Sequence, residues 1–248
     1  MGQGLSPESL QAAAEQLAAA CRRLHAGGLL AGAEGNLSLR LADGSLLVTA
    51  SGVDKARIGA GQVLRVHADG GYADGTEHHD ATSWRAPRDG DAALPAAVGR
   101  DRALRASSEL RMHVALYAAR PDVQAVVHAH PPAATGFAAA GRGLPADVLP
   151  ELPVVVGPVA LVPYARPGTQ ALADAIAQCA PDHEVFLLAN HGVTAVGHSL
   201  NDAVLRLESV EQAARILLVA TLLGGAVPLP PGEAAALASL RPSRELPS

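Results

Sequence analysis

Three histidines are the residues of this chain whose type and spacing best suit chemistry. His128 and His130 lie two apart in an apolar run that ends at Pro131, and successive side chains of a strand alternate between its faces, so both imidazoles are expected on one face. His191 follows a second apolar run at a Gly-containing turn, where a strand is expected to end. Three neutral imidazoles with room for one more ligand suit a catalytic zinc or a related divalent metal, whereas a single such histidine is more often only hydrogen-bonded.

Three short motifs offer groups that can hold an anion. Gly35-Asn36 precedes an expected strand, Ser51-Gly52 follows one, and Ser107-Ser108-Glu109 stands where a helix is expected to begin. Hydroxyls, an amide and the backbone N–H groups of a helix N-terminus are suitable ligands for phosphate oxygens. Each motif alone is more often an ordinary turn or helix cap.

Composition and charge restrict the class of protein. The chain has 248 residues, 49% of them hydrophobic, which is enough to bury the core of one large domain. A net charge of -5 and 2% aromatic residues argue against a nucleic-acid partner. The chain shows neither a signal-peptide pattern nor an apolar run of membrane-spanning length, so no membrane association and a cytoplasmic location are expected. The sole lysine, Lys55, is expected in a solvated loop.

The elements that must position these residues follow from hydrophobic periodicity. Helices are predicted over 9–25, from Ser107 or Ser108 to about 119, over 169–178, and from about 201 to Gly224; strands are predicted over 37–39, 46–49, 63–66, 123–130 and 185–188. Together they predict an α/β fold, a three-layer αβα sandwich with a largely antiparallel central sheet. Residues 1–248 are expected to form one domain, with a mobile loop at about 74–105 and a loose tail after about 228.

The order of the motifs resembles that of the class II aldolase/adducin family. The resemblance covers about residues 10–220 and is closest to the L-fuculose-phosphate aldolase branch. The motifs that carry it are Gly35-Asn36-Leu37-Ser38, Thr49-Ala50-Ser51-Gly52, Ser107-Ser108-Glu109, His128-Ala129-His130, Pro163-Tyr164-Ala165 with Gly168-Thr169, and His191-Gly192. Several short motifs in one order are more specific than any one of them.

The resemblance implies roles for individual residues. It implies that His128, His130 and His191 bind zinc, or alternatively Mn²⁺, Co²⁺ or Fe²⁺, and that Glu109 is a fourth ligand or the catalytic acid/base. The residues that it assigns to the phosphate of a small-molecule substrate are Asn36, Ser51, Gly52, Ser107 and Ser108. It also implies a homotetramer with active sites at the subunit interfaces. His113, one turn after Glu109, is expected either to steady that carboxylate or to pack.

The activity implied first is aldol cleavage of a ketose 1-phosphate to dihydroxyacetone phosphate and an aldehyde through a metal-stabilised enediolate. The sequence departs from the aldolase pattern, because its tyrosines are Tyr72, Tyr117 and Tyr164 and none stands at the family's proton-donor positions. A methylthioribulose-phosphate dehydratase-like lyase and a decarboxylase or epimerase are therefore the alternatives. A non-catalytic, adducin-like binding module is less favoured because all the metal-ligand positions are filled.

Overall fold

The structure is a computed structural model that describes residues 6–69, 71 and 104–241. The predicted mobile loop at 74–105 therefore lies, except for its last two residues, outside the described residues. In chain order the elements are α1 (Pro7–Ala26), β1 (Asn36–Arg40), β2 (Leu46–Thr49), β3 (Val63–Val66), α2 (Leu110–Ala119), β4 (Ala125–Ala129), α3 (Pro132–Ala139), β5 (Val159–Val162), α4 (Gln170–Cys179), β6 (Val185–Leu188), β7 (Gly192–Gly197), α5 (Leu200–Leu222) and α6 (Glu233–Ala238).

One mixed sheet contains the seven described strands, in the order β3-β2-β1-β4-β7-β6-β5. The pairs are antiparallel except that of β5 with β6, which is parallel. Strand β4 lies at the centre, between β1 and β7. Both edges of β4 are therefore paired, and β4 contains His128 and ends just before His130.

Helices cover both faces of this sheet, which makes it an α/β fold. Alternation along β4 sends Val127 into the core formed with α1, α3 and α5, and Val126 into the core formed with α2 and α4. His128 shares the face of Val126. The imidazole therefore points towards α2, the helix that follows Glu109.

Helix α1 shows how local sequence sets an element. Ser6 caps its N-terminus by accepting a hydrogen bond from the backbone N–H of Ser9 at 3.1 Å, and Pro7 occupies the first helical turn. The buried stripe of α1 comprises Ala14, Leu17, Ala18, Cys21 and Leu24. This helix is confirmed, and it extends one or two residues beyond each predicted end.

A buried carboxylate joins α3 to α5. Glu211 of α5 is 2% exposed and accepts hydrogen bonds from the backbone N–H groups of Ala133 at 3.1 Å and Ala134 at 2.8 Å. Those N–H groups belong to the first turn of α3 and have no partner within the helix. Arg215 contacts the same carboxylate at 2.8 Å. Since α3 begins two residues after His130, this contact fixes the corner that carries the second histidine.

The predicted loose tail after about residue 228 is described as far as residue 241, and residues 242–248 lie outside the described residues. Residues 233–238 form the short helix α6, and the backbone N–H of Leu229 donates to the carbonyl of Asp147 at 2.6 Å. Arg241 then pairs with the carboxylate of Glu184, which is 2% exposed. A Pro-rich composition predicted looseness, but a tertiary ion pair that the composition does not reveal holds the segment in place.

Among the described residues, none of the helices combines the length and the apolar character needed to cross a bilayer.

Candidate metal centre and active site

The three predicted histidines meet at one end of the sheet. His128 is fully buried in β4, His130 follows that strand, and His191 lies in the turn between β6 and β7. The backbone of this turn uses Asn190 at φ 56°, and His191 donates its N–H to the carbonyl of Leu188 at 3.0 Å. The ring centroids are 4.8 to 5.2 Å apart, and one ligand nitrogen from each ring lies within 4.8 Å of the others.

Glu109, at the N-terminus of α2, lies next to two of the three histidines. Its carboxylate oxygens lie 2.9 Å from His191 Nε2 and 3.4 Å from His128 Nε2, and Asn36 Nδ2 donates to it at 2.8 Å. Burial by itself would raise the pKa of Glu109, but the imidazoles of His128 and His191 and the amide of Asn36 outweigh burial and lower that pKa. Glu109 is therefore ionised and faces the imidazole nitrogens with a negative charge.

The imidazole tautomers suit a divalent metal. His128 Nδ1 lies 3.0 Å from the carbonyl of Val193, and His130 Nδ1 lies 3.2 Å from the carboxylate of Glu34. Both oxygens only accept, so both Nδ1 atoms donate, and burial keeps His128 neutral by lowering its pKa to about 4. His128 Nε2 then presents its lone pair towards His130 Nε2, 3.2 Å away, and a cation bound there would contact both nitrogens.

Three of the predicted anion ligands, Asn36 at the start of β1 and Ser107 and Ser108 before α2, lie near the N-terminus of α2. Asn36 Nδ2 is 3.4 Å from Ser107 Oγ, and Ser107 Oγ also accepts from the backbone N–H of Glu109 at 3.2 Å. Ser108 lies against Gly168, where a Cβ would come within 2.8 Å of the Ser108 hydroxyl. The structure thus brings Asn36, Ser107 and Glu109 into direct contact.

Ser51 and Gly52 approach from the neighbouring strand end. The backbone N–H of Ser51 donates to the carbonyl of Arg105 at 2.8 Å, and Ala50 forms an antiparallel bridge with Ala106. Both residues are exposed, and Gly52 has φ 72°, which favours glycine. Among the described residues, no side-chain hydrogen bond joins Ser51 to Asn36 or Ser107.

Lys55 corrects the sequence prediction of a solvated side chain. It is 1% exposed, and its Nζ reaches the carbonyls of Ala50 at 3.4 Å and Val53 at 3.5 Å, on either side of Ser51-Gly52. Burial lowers the pKa of Lys55. A polar Asp-Lys-Ala-Arg segment suggested solvent exposure, but the aliphatic part of the lysine is enclosed when the loop folds back against α1.

Two features of the site were missed at the sequence level. Glu34 had no predicted role, although it follows from the β1–β4 pairing that it stands beside His130. Ser38, whose place in the Asn-Leu-Ser motif was the only signal, bonds to His113 Nδ1 at 2.7 Å and to the Tyr117 hydroxyl at 2.9 Å. His113 is buried in α2, and its hydrogen-bond partner among the described residues is Ser38 rather than the carboxylate of Glu109.

Comparison with known proteins agrees with this geometry. The family described as Class II Aldolase and Adducin N-terminal domain matches residues 15–218. The 3-oxo-tetronate 4-phosphate decarboxylase of Escherichia coli strain K12 is 33% identical over 197 residues, 77% of this chain and 79% of that protein. The 3,4-dihydroxyphthalate decarboxylase of Arthrobacter keyseri is 33% identical over an aligned length of 250 positions, which covers 97% of this chain and 92% of that protein.

A solved structure of L-fuculose 1-phosphate aldolase has a TM-score of 0.74 and 27% identity, and the match covers 95% of this chain and 96% of that one. The family resemblance predicted from the order of the motifs is thus confirmed. The chain belongs to the class II aldolase and adducin N-terminal domain family.

Proposed function

We propose that the protein is a metal-dependent carbon–carbon lyase that decarboxylates an anionic 3-oxo acid. The observation that carries the proposal is the arrangement of one ionised acid, Glu109, against the Nε2 atoms of His128 and His191. With a metal held by the three histidines, this site would provide one electron sink and one acid/base group. Decarboxylation requires no more than these, because CO₂ leaves without taking or giving up a proton.

The names of the relatives support the same reaction. Two proteins that are each 33% identical to this chain are called decarboxylases, and one of those names specifies a 3-oxo acid that carries a phosphate. The anion ligands proposed for that phosphate are Asn36, Ser51, Gly52, Ser107 and Ser108. Of these, Asn36 and Ser107 already contact Glu109, so an anion held there would stand next to the acid/base group.

The chemistry divides between the metal and the side chains. A divalent metal held by the three imidazoles, which we propose to be zinc, supplies Lewis acidity that withdraws electrons from the substrate carbonyl. Glu109 relays one solvent proton to the carbon that CO₂ leaves. Asn36 holds the carboxylate in place for that transfer through its 2.8 Å hydrogen bond. We propose both roles for Glu109, that of metal ligand and that of catalytic acid/base.

Aldol cleavage of a ketose 1-phosphate is the second candidate, favoured by the structural similarity to L-fuculose 1-phosphate aldolase. That reaction also needs an acid/base group at the departing aldehyde. Tyr117 does not provide it, because its hydroxyl is buried and bonded to Ser38. Tyr164, the other described tyrosine, is 61% exposed.

The two reactions are separated by their products. Enzyme loaded with metal is incubated with a four-carbon 3-oxo acid 4-phosphate labelled with ¹³C at the carboxylate, and in parallel with ketose 1-phosphates. We expect labelled CO₂ from the first substrate. Glu109→Gln is expected to lower kcat by about 10²–10⁴-fold, and the exposed Glu151→Gln is the matched control. Triose phosphate from the ketose phosphates, without CO₂ from the oxo acid, would instead establish the aldolase.

We also propose a homotetramer with active sites at its interfaces. Large apolar side chains are exposed around the end of α5, and they comprise Leu218, Val219, Leu222, Leu223 and Val227. A patch of this kind on the surface of one chain favours burial against another chain. Light scattering is expected to give four times the chain mass of 25.1 kDa, and a single chain mass would contradict the proposal.

A further inference from the structure

Of the buried polar atoms that have no hydrogen-bond partner among the described residues, two belong to residues around one small cavity beside the proposed site. They are Asn36 Oδ1 and His113 Nε2, and their residues are 7% and 2% exposed. Both residues line one small cavity, together with Thr49 and Ser107. A buried polar atom left without a hydrogen bond destabilises the fold, so two such atoms at one cavity indicate an additional polar occupant.

The size of the cavity identifies that occupant. It has room for a single water molecule. A phosphate or carboxylate group does not fit in that space. One water molecule does, and it can both accept a hydrogen bond and donate one.

The other side of His113 fixes which nitrogen carries the proton. The Tyr117 hydroxyl is buried and has one proton to donate. Among the described residues, Ser38 Oγ is the acceptor within reach, at 2.9 Å. The Ser38 hydroxyl then donates to His113 Nδ1 at 2.7 Å. His113 is neutral, because burial lowers its pKa to about 3, and its proton is therefore on Nε2.

We propose that one buried water accepts from His113 Nε2–H and donates to Asn36 Oδ1, so that His113 is a positioning residue for the side chain of Asn36. The hydrogen bonds then run in one direction, from Tyr117 through Ser38, His113 and the water to Asn36. At the end of this chain, Asn36 Nδ2 donates to Glu109 at 2.8 Å.

The consequence concerns the orientation of the Asn36 amide. If the amide were flipped, its oxygen would face the ionised carboxylate of Glu109, and acceptor would face acceptor. The water holds the oxygen of Asn36 on the cavity side and the N–H₂ group on the side of Glu109. The effect on turnover rests on the proposed function, whereas the water and the tautomer do not.

Two measurements test the structural part without any activity assay. The ring nitrogens of ¹⁵N-histidine-labelled protein report the tautomer, and His113 is assigned by its absence from His113→Gln. We expect a neutral Nε2–H tautomer, and in a high-resolution crystal structure a water within hydrogen-bond distance of both His113 Nε2 and Asn36 Oδ1. An Nδ1–H tautomer, an imidazolium or an empty cavity would overturn the inference.

Kinetics of matched variants test the positioning role. His113→Gln keeps an N–H donor near the position of Nε2, and His113→Phe removes it. We expect His113→Phe to lower kcat about tenfold, the effect of one hydrogen bond, with KM nearly unchanged, and His113→Gln to restore most of it. Equal rates for both variants would refute the role.

If His113→Phe does not fold, the variant Tyr117→Phe is measured by the same ¹⁵N experiment. It removes the hydroxyl donor that fixes the tautomer of His113, so the Nδ1–H tautomer is expected to become populated. An unchanged tautomer would overturn the inference.

Discussion

The buried carboxylate of Glu211 provides a sharp test of how the corner after His130 is held. Glu211→Ala leaves the backbone N–H groups of Ala133 and Ala134 without their acceptor. Ala134 is fully buried, so its unsatisfied N–H costs about 2 kcal/mol, and that of the half-buried Ala133 costs about 1 kcal/mol. The sum is about 3 kcal/mol. For a chain of this length it lowers Tm by about 6–12 °C.

Thermal unfolding followed by circular dichroism measures this loss. Glu211→Gln keeps one oxygen acceptor and is expected to show about half the decrease in Tm. Arg215→Ala removes a partner whose side chain is 50% exposed, so it is expected to cost less than about 1 kcal/mol. A Tm for Glu211→Ala within about 2 °C of the wild type, or an equally large decrease for Arg215→Ala, would refute the reasoning.

Three further outcomes are expected. Glu34→Gln should weaken metal binding about tenfold in calorimetry by loosening the orientation of His130; unchanged affinity would contradict the tautomer assignment. The hydrogen bond from Arg120 chiefly lowers the pKa of Asp122, so the ionised carboxylate stabilises the fold above the ordinary aspartate pKa of about 3.9, and this stabilisation is lost as the pH falls through the folded pKa. The difference in urea midpoint between Asp122→Asn and the wild type should therefore shrink at low pH. A difference that does not change with pH would count against the Arg120–Asp122 pair. Gly35→Ala should destabilise more than Gly44→Ala, because both have positive φ but only Gly35 faces a backbone oxygen, 2.6 Å from where its Cβ would lie; equal urea midpoints would refute the close approach.

Elements that are marked by helical periodicity or by a short apolar run between turns were predictable from the sequence. Strands β2 and β3 have the predicted bounds, 46–49 and 63–66. Strand β7 was missed because the run Gly192–Gly197 begins and ends with glycine and contains a threonine, so it shows neither clear alternation nor a continuous apolar run. Helix α3 was missed because it is short and begins with a proline after another proline.

Some contacts of the candidate site were likewise predictable from the sequence, and others were not. The shared face of His128 and His130 follows from the two-residue period of a strand, and the approach of His191 follows from a turn at the end of β6. The contact of Glu34 with His130 depends on strand pairing across 96 positions of the chain. Likewise, the burial of Lys55 depends on how its loop packs, which no local pattern encodes.

The most direct test of the proposed metal centre is elemental mass spectrometry of protein purified without a metal-binding tag. We expect about one equivalent of a divalent metal per chain, chiefly zinc. The metal should be lost in the double variant His128→Ala/His130→Ala and kept in His67→Ala, which removes an exposed imidazole. No bound metal after incubation with zinc, manganese, cobalt or ferrous ions, or full retention of metal by the double variant, would contradict the account.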